Sequence, residues 1–227
     1  MNILITSGGT TELIDDVRGI TNHASGHLGK IMAEHCLKEG HQVTLVTTKE
    51  AVKPEKQANL TVVLISDVAS LMETLKPLVK SHDVLIHSMA VSDYTPVYMT
   101  DLDELQTVSD PALLLTKKNT EKKISSNSDV QVLFLKKTPK VISHVKEWNP
   151  TIKLVGFKLL VDVTKEELFS VARKSLINNK ADFIVANDLT EIDAKRHHAY
   201  LVDETNETLV TTKQAIAEMI LKRVSHD

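Results

Sequence analysis

Short apolar runs rich in valine and isoleucine alternate along this chain with stretches of helical period, and that alternation limits the possible fold more than any other feature. Several runs are apolar at consecutive positions, which is typical of strands covered on both faces. The predicted strands are 2–6, 42–46, 60–65, 83–87, 152–157 and 182–186. The predicted helices are 27–39, 67–80, 138–148, 165–179 and 212–224. The pattern predicts an α/β fold with a Rossmann-like, mostly parallel sheet and flanking helices.

Local signals mark several helix ends. Asp67 and Thr138 are predicted N-caps, because their side-chain oxygens can accept a hydrogen bond from a first-turn N–H. Pro139 suits the first turn of a helix. Gly40 is predicted to end the first helix, at the position where left-handed backbone is common.

Two segments interrupt the alternation. Residues 89–129 show little periodicity and include a lysine-rich stretch at 117–123, before a strand pattern resumes at 130–135. Long irregular stretches inside a compact domain are usually functional or mobile. Near the end of the chain, 199–203 and 208–211 predict an antiparallel hairpin before the last helix. We therefore expect an extra antiparallel or dimerisation segment beside the parallel sheet.

Composition excludes several classes of function. With 227 residues, 42% of them apolar, the chain can bury the core of one large domain, and we expect a single domain over 1–227. A formal charge of -3 gives no basic field for nucleic-acid binding. No run approaches about 18 apolar residues, so we expect no membrane span and a cytoplasmic location. The single cysteine, Cys36, cannot form an intrachain disulfide and fits an inert core position.

Five of the 7 glycines lie within the first 29 residues, where a strand gives way to a loop and then to a helix. Glycine lets a backbone approach a bulky anion and adopt positive φ, and a helix start offers free N–H groups. Hydroxyl and amide side chains converge on the same stretch, namely those of Ser7, Thr10, Asn22 and Ser25. The stretch predicts a phosphate-binding site beyond the carboxyl ends of the strands.

Several familiar kinds of site do not fit these residues. A dinucleotide site would show Gly-x-Gly-x-x-Gly after the first strand and an acidic residue after the second, whereas this chain has Ser7-Gly-Gly-Thr10 and Val46-Thr-Thr-Lys49. No Gly-x-x-x-x-Gly-Lys-Ser/Thr P-loop occurs. None of the 3 tyrosines has a lysine four residues later, the pair that a short-chain dehydrogenase needs. His197 and His198 are adjacent rather than spaced as metal ligands, and we interpret them as surface or loop residues.

Eight stretches follow one another in the order found in a known enzyme family. In chain order they are Thr6-Ser-Gly-Gly-Thr10, Val17-Arg18, Asn22-His-Ala-Ser-Gly-His-Leu-Gly29, Ala90-Val-Ser-Asp-Tyr94, Lys123-Ile124, Thr138-Pro139, Gly156-Phe-Lys158 and Val185-Ala-Asn187. Together they resemble phosphopantothenate-cysteine ligase, also called phosphopantothenoylcysteine synthetase. Because the chain starts at the ligase motif, we expect the stand-alone bacterial form, without the flavin-dependent decarboxylase half that many bacteria fuse ahead of it.

The resemblance implies a ligase that joins 4'-phosphopantothenate to L-cysteine on the route to coenzyme A. In that family the phosphopantothenate carboxylate attacks the α-phosphate of a nucleoside triphosphate, releasing pyrophosphate and leaving an acyl-nucleotide. The cysteine amine then attacks this anhydride and forms the amide. The resemblance also implies Mg²⁺ on the triphosphate, CTP or ATP as co-substrate, and a homodimer. Cations and oriented donors are needed because both partners in the first step are anionic.

Roles for single residues follow from the same resemblance. Lys123, on a mobile loop, corresponds to the lysine that supports acyl-nucleotide formation, and Asn22 to the asparagine that holds the intermediate for cysteine. Arg18 corresponds to an arginine that reaches the substrate phosphate across a dimer interface, so its counterion is expected in a neighbouring subunit. Ala90 and Asp93 correspond to a segment that contacts phosphopantothenate or the base. The other implied nucleotide contacts are Gly8, Gly9, Ser25, Gly26, Gly29, Phe157 and Asn187.

Several alternatives stay open. CTP is favoured over ATP through the Asp93 region, although two lysines of many CTP-using members correspond to Ser175 and Asn179, and Gly156-Phe-Lys158 is closer to the ATP-accepting eukaryotic branch. Asp93 follows a buried strand, so its carboxylate is expected to have a partner. Phe157 fits an ordinary core position equally well. A non-catalytic nucleotide-binding regulatory protein on the same fold would use the same pocket without releasing pyrophosphate.

Overall fold

A computed structural model describes residues 1–193 and 197–225, and every element named below lies within them. The strands, numbered along the chain, are β1 (Asn2–Ser7), β2 (Thr11–Leu13), β3 (Gly19–Thr21), β4 (Gln42–Thr47), β5 (Leu60–Leu64), β6 (Val84–His87), β7 (Tyr94–Asp101), β8 (Gln131–Lys137), β9 (Lys153–Leu160), β10 (Phe183–Asp188), β11 (Ala199–Val202) and β12 (Glu207–Val210). The α-helices are α1 (His27–Lys38), α2 (Val68–Val79), α3 (Leu102–Thr107), α4 (Val141–Trp148), α5 (Lys165–Asn179) and α6 (Lys213–Ser225). Short 3₁₀ helices cover Pro111–Thr116 and Leu189–Glu191. Within the described ranges no helix has the combination of length and hydropathy that a membrane crossing needs.

The central sheet has the strand order β12-β11-β10-β9-β6-β1-β4-β5. The strands from β10 to β5 in this order pair in parallel, and β11 and β12 add an antiparallel hairpin at one edge. The predicted Rossmann-like sheet and the hairpin near the end of the chain are therefore confirmed. From β1 the chain fills one side with β4 and β5, and then returns to place β6, β9 and β10 on the other. The order reverses between β1 and β6, and such a switch point is where α/β sheets bind ligands.

Helices cover both faces of the sheet. On one face α2, α4 and α5 pack around a core that includes Leu71 and Leu85. On the other face α1 and α6 pack around a core that includes Ile5 and Met32. Cys36 belongs to this second core, and burial raises the pKa of its thiol to about 12. The inert core position expected for this cysteine is confirmed.

Two of the predicted helix ends are confirmed and one is wrong. Asp67 accepts a hydrogen bond from the first turn of α2 in a capping box, and Gly40 has a φ of +81° just after α1. The N-cap predicted at Thr138 and the first-turn position predicted for Pro139 are wrong, because α4 begins at Val141 with Lys140 as its N-cap. The Thr138 hydroxyl instead donates to Ser92 O at 2.6 Å. It therefore ties the chain ahead of α4 to the segment after β6.

The irregular segment 89–129 contains a strand that sequence patterns do not predict. β7 pairs antiparallel with β8 in a separate two-stranded sheet, so the strand predicted at 130–135 is confirmed. The sequence does not predict β7 because Pro96 lies in it, and a proline, which cannot donate a hydrogen bond to the neighbouring strand, argues against a strand. The register shifts between Pro96 and Tyr98, and such a bulge accommodates the proline.

The start of α1 lies so close to the end of β1 that only glycine fits at their contacts. A Cβ on Gly29, inside α1, would overlap the side chain of Ser7. Gly8 and Gly26 have φ of +84° and +80°, and a Cβ on them would come within 2.8 and 2.9 Å of the Ala51 Cβ. These three glycines are therefore required by close packing, and two of them also by left-handed backbone.

Gly29→Ala is expected to destabilise the protein, although alanine is the better helix former by about 1 kcal/mol. The added Cβ meets Ser7, and overpacking of a filled contact costs about 1–3 kcal/mol. Chemical denaturation should show a lower free energy of unfolding, which the double variant Ser7→Gly/Gly29→Ala should partly restore. As a control, Lys38→Ala changes an exposed side chain of the same helix and should leave the free energy of unfolding within about 0.5 kcal/mol of the wild type. A Gly29→Ala variant more stable than the wild type would contradict the contact.

Candidate functional site

Hydrogen bonds join the loops after β1 and β6 at the switch point. Thr10 N donates to Ala90 O at 3.1 Å, and Ala90 N donates to Gly8 O at 2.9 Å. The Thr10 hydroxyl donates to Ser92 Oγ at 2.9 Å and accepts a hydrogen bond from Ser92 N at 2.9 Å. The structure thereby brings together Gly8 and Ala90, which the sequence assigns to the nucleotide and the substrate.

The β2–β3 hairpin returns the chain to the same place. The Thr21 hydroxyl donates to Thr10 O at 3.2 Å. Gly9 then lies against the backbone of Asn22, so closely that a Cβ on Gly9 would stand 2.5 Å from Asn22 O. Asn22 is exposed, and its amide can donate to a bound ligand. The residue predicted to be catalytic thus lies next to the loop predicted to bind phosphate.

The start of α1 forms a third side of the same site. Gly26 precedes the helix, and no side chain of the described residues caps it. Ser25 is exposed, and its hydroxyl lies 2.8 Å from His27 Nδ1. Free N–H groups and the positive end of a helix dipole favour an anion at such a position. The predicted residues gathered around this point are Gly8, Gly9, Asn22, Ser25, Gly26, Gly29 and Ala90.

Protein atoms already occupy the space beside all four of these glycines, including Gly9, which lies against Asn22. Ala51, on the loop after β4, fills the gap beside Gly8 and Gly26, and Ser7 lies against Gly29. The sequence pattern predicts glycines that let the backbone approach an anion, whereas in the structure their missing side chains make room for other parts of the chain. Contact between the glycines and a nucleotide stays a prediction, and it would use backbone N–H groups rather than the space left by a missing Cβ.

Arg18 has its counterion in its own chain. Its Nη2 and Nε lie 2.6 and 3.0 Å from Asp15 Oδ2, and the Asp15 side chain is fully buried. The expectation of a counterion in a neighbouring subunit is therefore wrong. Arg18 holds the pKa of the Asp15 carboxyl well below its usual range, against the opposing effect of burial. The two residues form a fixed charged pair at the tip of the β2–β3 hairpin.

Lys123 is held near Arg18 by its two neighbours in the chain. Ile124 O accepts a hydrogen bond from Arg18 Nη2 at 3.0 Å, and Lys122 O accepts one from Asp16 N at 3.0 Å. Ile124 is buried, whereas Lys123 is exposed. The hairpin tip therefore brings together the two basic residues that the sequence assigns to the substrate phosphate and to acyl-nucleotide formation.

Asp93 is exposed, and no described residue makes a hydrogen bond or ion pair with its carboxylate, so the expectation of a partner is wrong. The reason is that β6 ends at His87, so Asp93 lies well beyond the buried strand. Its backbone O accepts a hydrogen bond from Thr138 N at 2.9 Å. The carboxylate itself is open to solvent, a short distance along the chain from Ala90.

Phe157 and Asn187 lie on the neighbouring strands β9 and β10, on the side covered by α1 and α6. Phe157 pairs in register with Val185, two residues before Asn187. Phe157 is half-buried and packs against the core cluster on that side, which supports the alternative of an ordinary core position. Asn187 is buried. Contact of either residue with a nucleotide stays a prediction.

Ser175 and Asn179 lie at the far end of α5. Asn179 is buried, and its Nδ2 donates to Ser175 O at 2.7 Å. Because α5 runs back across the sheet from the end of β9 to the start of β10, its last turn lies at the edge opposite to the loops after β1 and β6. The structure thus places these two residues away from the loops after β1 and β6, and the base preference of the chain stays a prediction.

Sequence reasoning misses Asp15 and Asp188, two carboxylates that fix loops. Asp188 ends β10 and accepts hydrogen bonds from Asp162 N, Val163 N and both the N and Oγ1 of Thr190, at 2.7 to 3.1 Å. These donors, Val163 N first, hold the pKa of its carboxyl well below the usual range. Asp188 thereby joins the loops that follow β9 and β10. An acidic residue at the end of a buried strand is the signal that could have identified it.

A buried histidine pairs with a threonine across β1 and β6. Thr6 Oγ1 and His87 Nδ1 are 2.8 Å apart, and Met89 N donates to the same hydroxyl at 3.3 Å. Burial lowers the pKa of His87 to about 4. The imidazole is therefore neutral near pH 7, and its Nδ1 can accept a hydrogen bond from the Thr6 hydroxyl.

Within residues 1–193 and 197–225, no group of three or more His, Cys, Asp or Glu side chains could hold a metal ion. His197 and His198, interpreted as surface or loop residues, are half-buried just before β11. Burial lowers the pKa of His197.

The family model of the DNA/pantothenate metabolism flavoprotein C-terminal domain matches residues 1–104 and 107–226. The chain is 33% identical over 221 residues to the coenzyme A biosynthesis bifunctional protein CoaBC of Thermococcus kodakarensis. The aligned region covers 96% of this chain and 49% of that protein. It spans about half the length of the curated relatives that it matches first.

Solved structures match over nearly the whole chain. The DNA/pantothenate metabolism flavoprotein from Streptococcus pneumoniae has a TM-score of 0.95 and 56% identity, covering 99% of this chain and 98% of that one. The C-terminal domain of a coenzyme A biosynthesis bifunctional protein CoaBC has a TM-score of 0.71 and 26% identity, covering 98% and 93%. These matches confirm the fold class.

The neutral state of His87 predicts a loss of stability in acid. Its pKa falls from an ordinary 6.5 to about 4 on folding, so the unfolded chain binds more protons between these values. The free energy of unfolding should therefore fall as the pH falls from 6.5 to 4, by up to about 3 kcal/mol. Urea titrations at several pH values should show this slope. His87→Gln should flatten it and the exposed His23→Gln should not; an unchanged slope in His87→Gln would reject the assignment.

Proposed function

The chain belongs to the DNA/pantothenate metabolism flavoprotein C-terminal domain family, and we propose that it is a ligase of coenzyme A biosynthesis that joins 4'-phosphopantothenate to L-cysteine. Relatives such as CoaBC are named for coenzyme A biosynthesis. The observation that carries the proposal is the meeting of Gly8, Asn22 and Ala90 at the switch point, beside the start of α1. We further propose that residues 1–227 act as a single ligase domain in the cytoplasm.

The first step joins two anions, and the site opposes their repulsion. A carboxylate oxygen of phosphopantothenate attacks the α-phosphorus of a nucleoside triphosphate, the bond from phosphorus to the bridging oxygen breaks, and pyrophosphate leaves. Lys123, exposed between two anchored neighbours, supplies positive charge at the α-phosphate. Backbone N–H groups of Gly8 and Gly9 and of the first turn of α1 bind the phosphates. The product is an acyl-nucleotide mixed anhydride.

Asn22 acts in the second step. The neutral amine of cysteine attacks the acyl carbonyl, the nucleoside monophosphate leaves with the bonding electron pair, and the amine nitrogen releases a proton. The Asn22 amide donates to the anhydride and holds its carbonyl for this attack. Its exposed position beside Gly9 allows the contact.

We propose CTP rather than ATP as the nucleotide. Asp93 is exposed beyond the Ala90 loop, where a carboxylate can accept a hydrogen bond from the amino group of cytosine. Asn187, at the end of β10, is proposed to border the nucleotide on that side of the sheet, whereas Phe157 contributes only the part of its ring that the core leaves uncovered. Mg²⁺ enters as part of the substrate, bound to the triphosphate oxygens that it prefers, and offsets their charge.

We also propose that the protein forms a homodimer. Apolar side chains are exposed at the hairpin tip and on the β7–β8 pair, among them Leu13 at 60%, Val17 at 67%, and Tyr94 and Leu135. Clusters of exposed apolar residues are typical of protein interfaces. Arg18 lies between Val17 and β3, and within the described part of the chain no acceptor binds its Nη1. That edge of the guanidinium is available to the phosphate of phosphopantothenate at the interface.

Pyrophosphate release tests the function directly. With Mg²⁺, CTP, 4'-phosphopantothenate and L-cysteine, the protein should release pyrophosphate continuously. Omission of cysteine should leave a single turnover, and omission of phosphopantothenate should abolish release. ATP in place of CTP should give slower release, and the reverse order would overturn the proposed base preference. Binding of nucleotide without pyrophosphate release would instead identify a non-catalytic nucleotide-binding protein.

Lys123→Gln and Asn22→Asp are expected to fail at different steps. Loss of the lysine charge should slow pyrophosphate release roughly 100-fold, as removal of one oriented donor typically does. Asn22→Asp should still release pyrophosphate in a first turnover but accumulate the acyl-nucleotide, measurable by mass spectrometry. The exposed neighbour Lys122→Gln provides a matched control and should resemble the wild type. Normal pyrophosphate release in Lys123→Gln, or normal amide formation in Asn22→Asp, would reject the corresponding role.

A further inference from the structure

One buried carboxylate joins two segments that are far apart in the chain. Asp15 Oδ1 accepts hydrogen bonds from Val17 N at 3.0 Å and Arg18 N at 2.8 Å. Its Oδ2 accepts from Arg18 Nε and Nη2 at 3.0 and 2.6 Å and from Ile124 N at 3.1 Å. The Asp15 side chain has no exposed surface. One oxygen therefore shapes the hairpin tip, while the other reaches a backbone N–H 109 residues away.

Both neighbours of Lys123 are bound to the hairpin tip. Ile124 donates its N–H to Asp15 and accepts at its O from Arg18 Nη2, so its peptide groups are held on both sides. Lys122 O accepts from Asp16 N at 3.0 Å. No helix or strand covers residues 117–130, and these hydrogen bonds consequently determine where the Lys123 backbone lies.

An independent anchor holds the same segment further upstream. The Asn119 amide accepts from Met99 N at 2.7 Å and donates to Met99 O at 2.9 Å, as a neighbouring strand would. Loss of the Asp15 contacts would therefore free the chain around Lys123 without releasing the part that precedes Asn119. This separation makes a local effect measurable.

We propose that Asp15 is a positioning residue that fixes Lys123 for acyl-nucleotide formation, through Arg18 and the Ile124 backbone. The inference rests on the proposed function for its catalytic part and on geometry alone for its structural part. Asp15 does not itself touch the reacting atoms. It sets the place of a cation whose long side chain would otherwise sample many positions.

Asp15→Asn tests the contact of the carboxylate oxygen Oδ2 with Ile124 N. Asparagine keeps an oxygen for the Val17 and Arg18 amides, but presents an NH₂ group to the Ile124 N–H and the guanidinium, so that donors face donors. Asp16→Asn is the matched control, because Asp16 is exposed and its backbone N–H is retained. Both variants lose one negative charge, and their Tm values show whether each is folded.

Limited trypsin digestion measures the anchor without any substrate. We expect cleavage after Lys122 and Lys123 to be about tenfold faster in Asp15→Asn than in the wild type or Asp16→Asn, since cleavage requires a mobile chain. Cleavage after Lys117 and Lys118, upstream of Asn119, is the internal reference and should not change. Unchanged cleavage after Lys122 and Lys123 would overturn the proposal, whether or not the protein is a ligase.

A double-mutant cycle measures the catalytic part. At saturating substrates Asp15→Asn should lower the rate of pyrophosphate release about tenfold, and should have no further effect in the Lys123→Gln background. An equal loss in both backgrounds would overturn the role through Lys123. A wild-type protein that releases no pyrophosphate would defeat the proposed function, while the digestion would still decide the anchor.

Hydrogen exchange keeps the inference testable if Asp15→Asn does not fold. In the wild type the amide of Ile124 should exchange at least tenfold more slowly than that of the exposed Ser125, because only the former has the Asp15 acceptor. Equal exchange at the two amides would overturn the proposal.

Discussion

The site depends on the hydrogen-bonded seam that continues the β1–β6 pairing beyond the ends of both strands. Strand order reverses at this point, so the two loops would separate unless something joined them. Gly9 and Ala90 instead form a parallel bridge, and Thr10 and Ser92 exchange hydrogen bonds through their hydroxyls. Inside the seam, Thr6 and His87 pair in the dry core. The loops are thus extensions of the sheet, and they carry its rigidity into the site.

The β2–β3 hairpin transmits that rigidity outward. At its base Thr11 N donates to Ser66 O at 2.8 Å, and the buried Glu12 accepts from Val68 N at the start of α2, also at 2.8 Å. At its tip the charged pair with Asp15 reaches the segment that carries Lys123. The hairpin is therefore a strut between the main sheet and the smaller antiparallel pair. Because the hairpin is anchored at its base and at its tip, it can hold the segment of Lys123 more accurately than a mobile surface loop could.

Sequence patterns predict the parallel sheet well because the periods of strands and helices are local properties. They fail at β7, where Pro96 counts against a strand, and at β2 and β3, which are too short to show a period. The candidate site follows from topology and motif, since the loops that carry Gly8, Asn22 and Ala90 end at one edge of the sheet. The sequence does not predict contacts between distant parts of the chain. Two examples are the packing of Ala51 beside Gly8 and Gly26, and the pairing of Arg18 with Asp15 of the same chain. No local period encodes a contact across 109 residues.

The Asp15 contact also constrains how parts of this fold can be exchanged. A chimera that replaced the hairpin alone would remove the Asp15 carboxylate and leave the Ile124 N–H without its acceptor. A chimera that replaced the distant loop alone would take away the Ile124 N–H and leave the buried Asp15 carboxylate with one donor fewer. Insertions or deletions in either piece would shift the register of the other. In any recombined protein, residues 11–21 and 119–125 would have to come from the same parent, although almost half of the chain separates them in sequence.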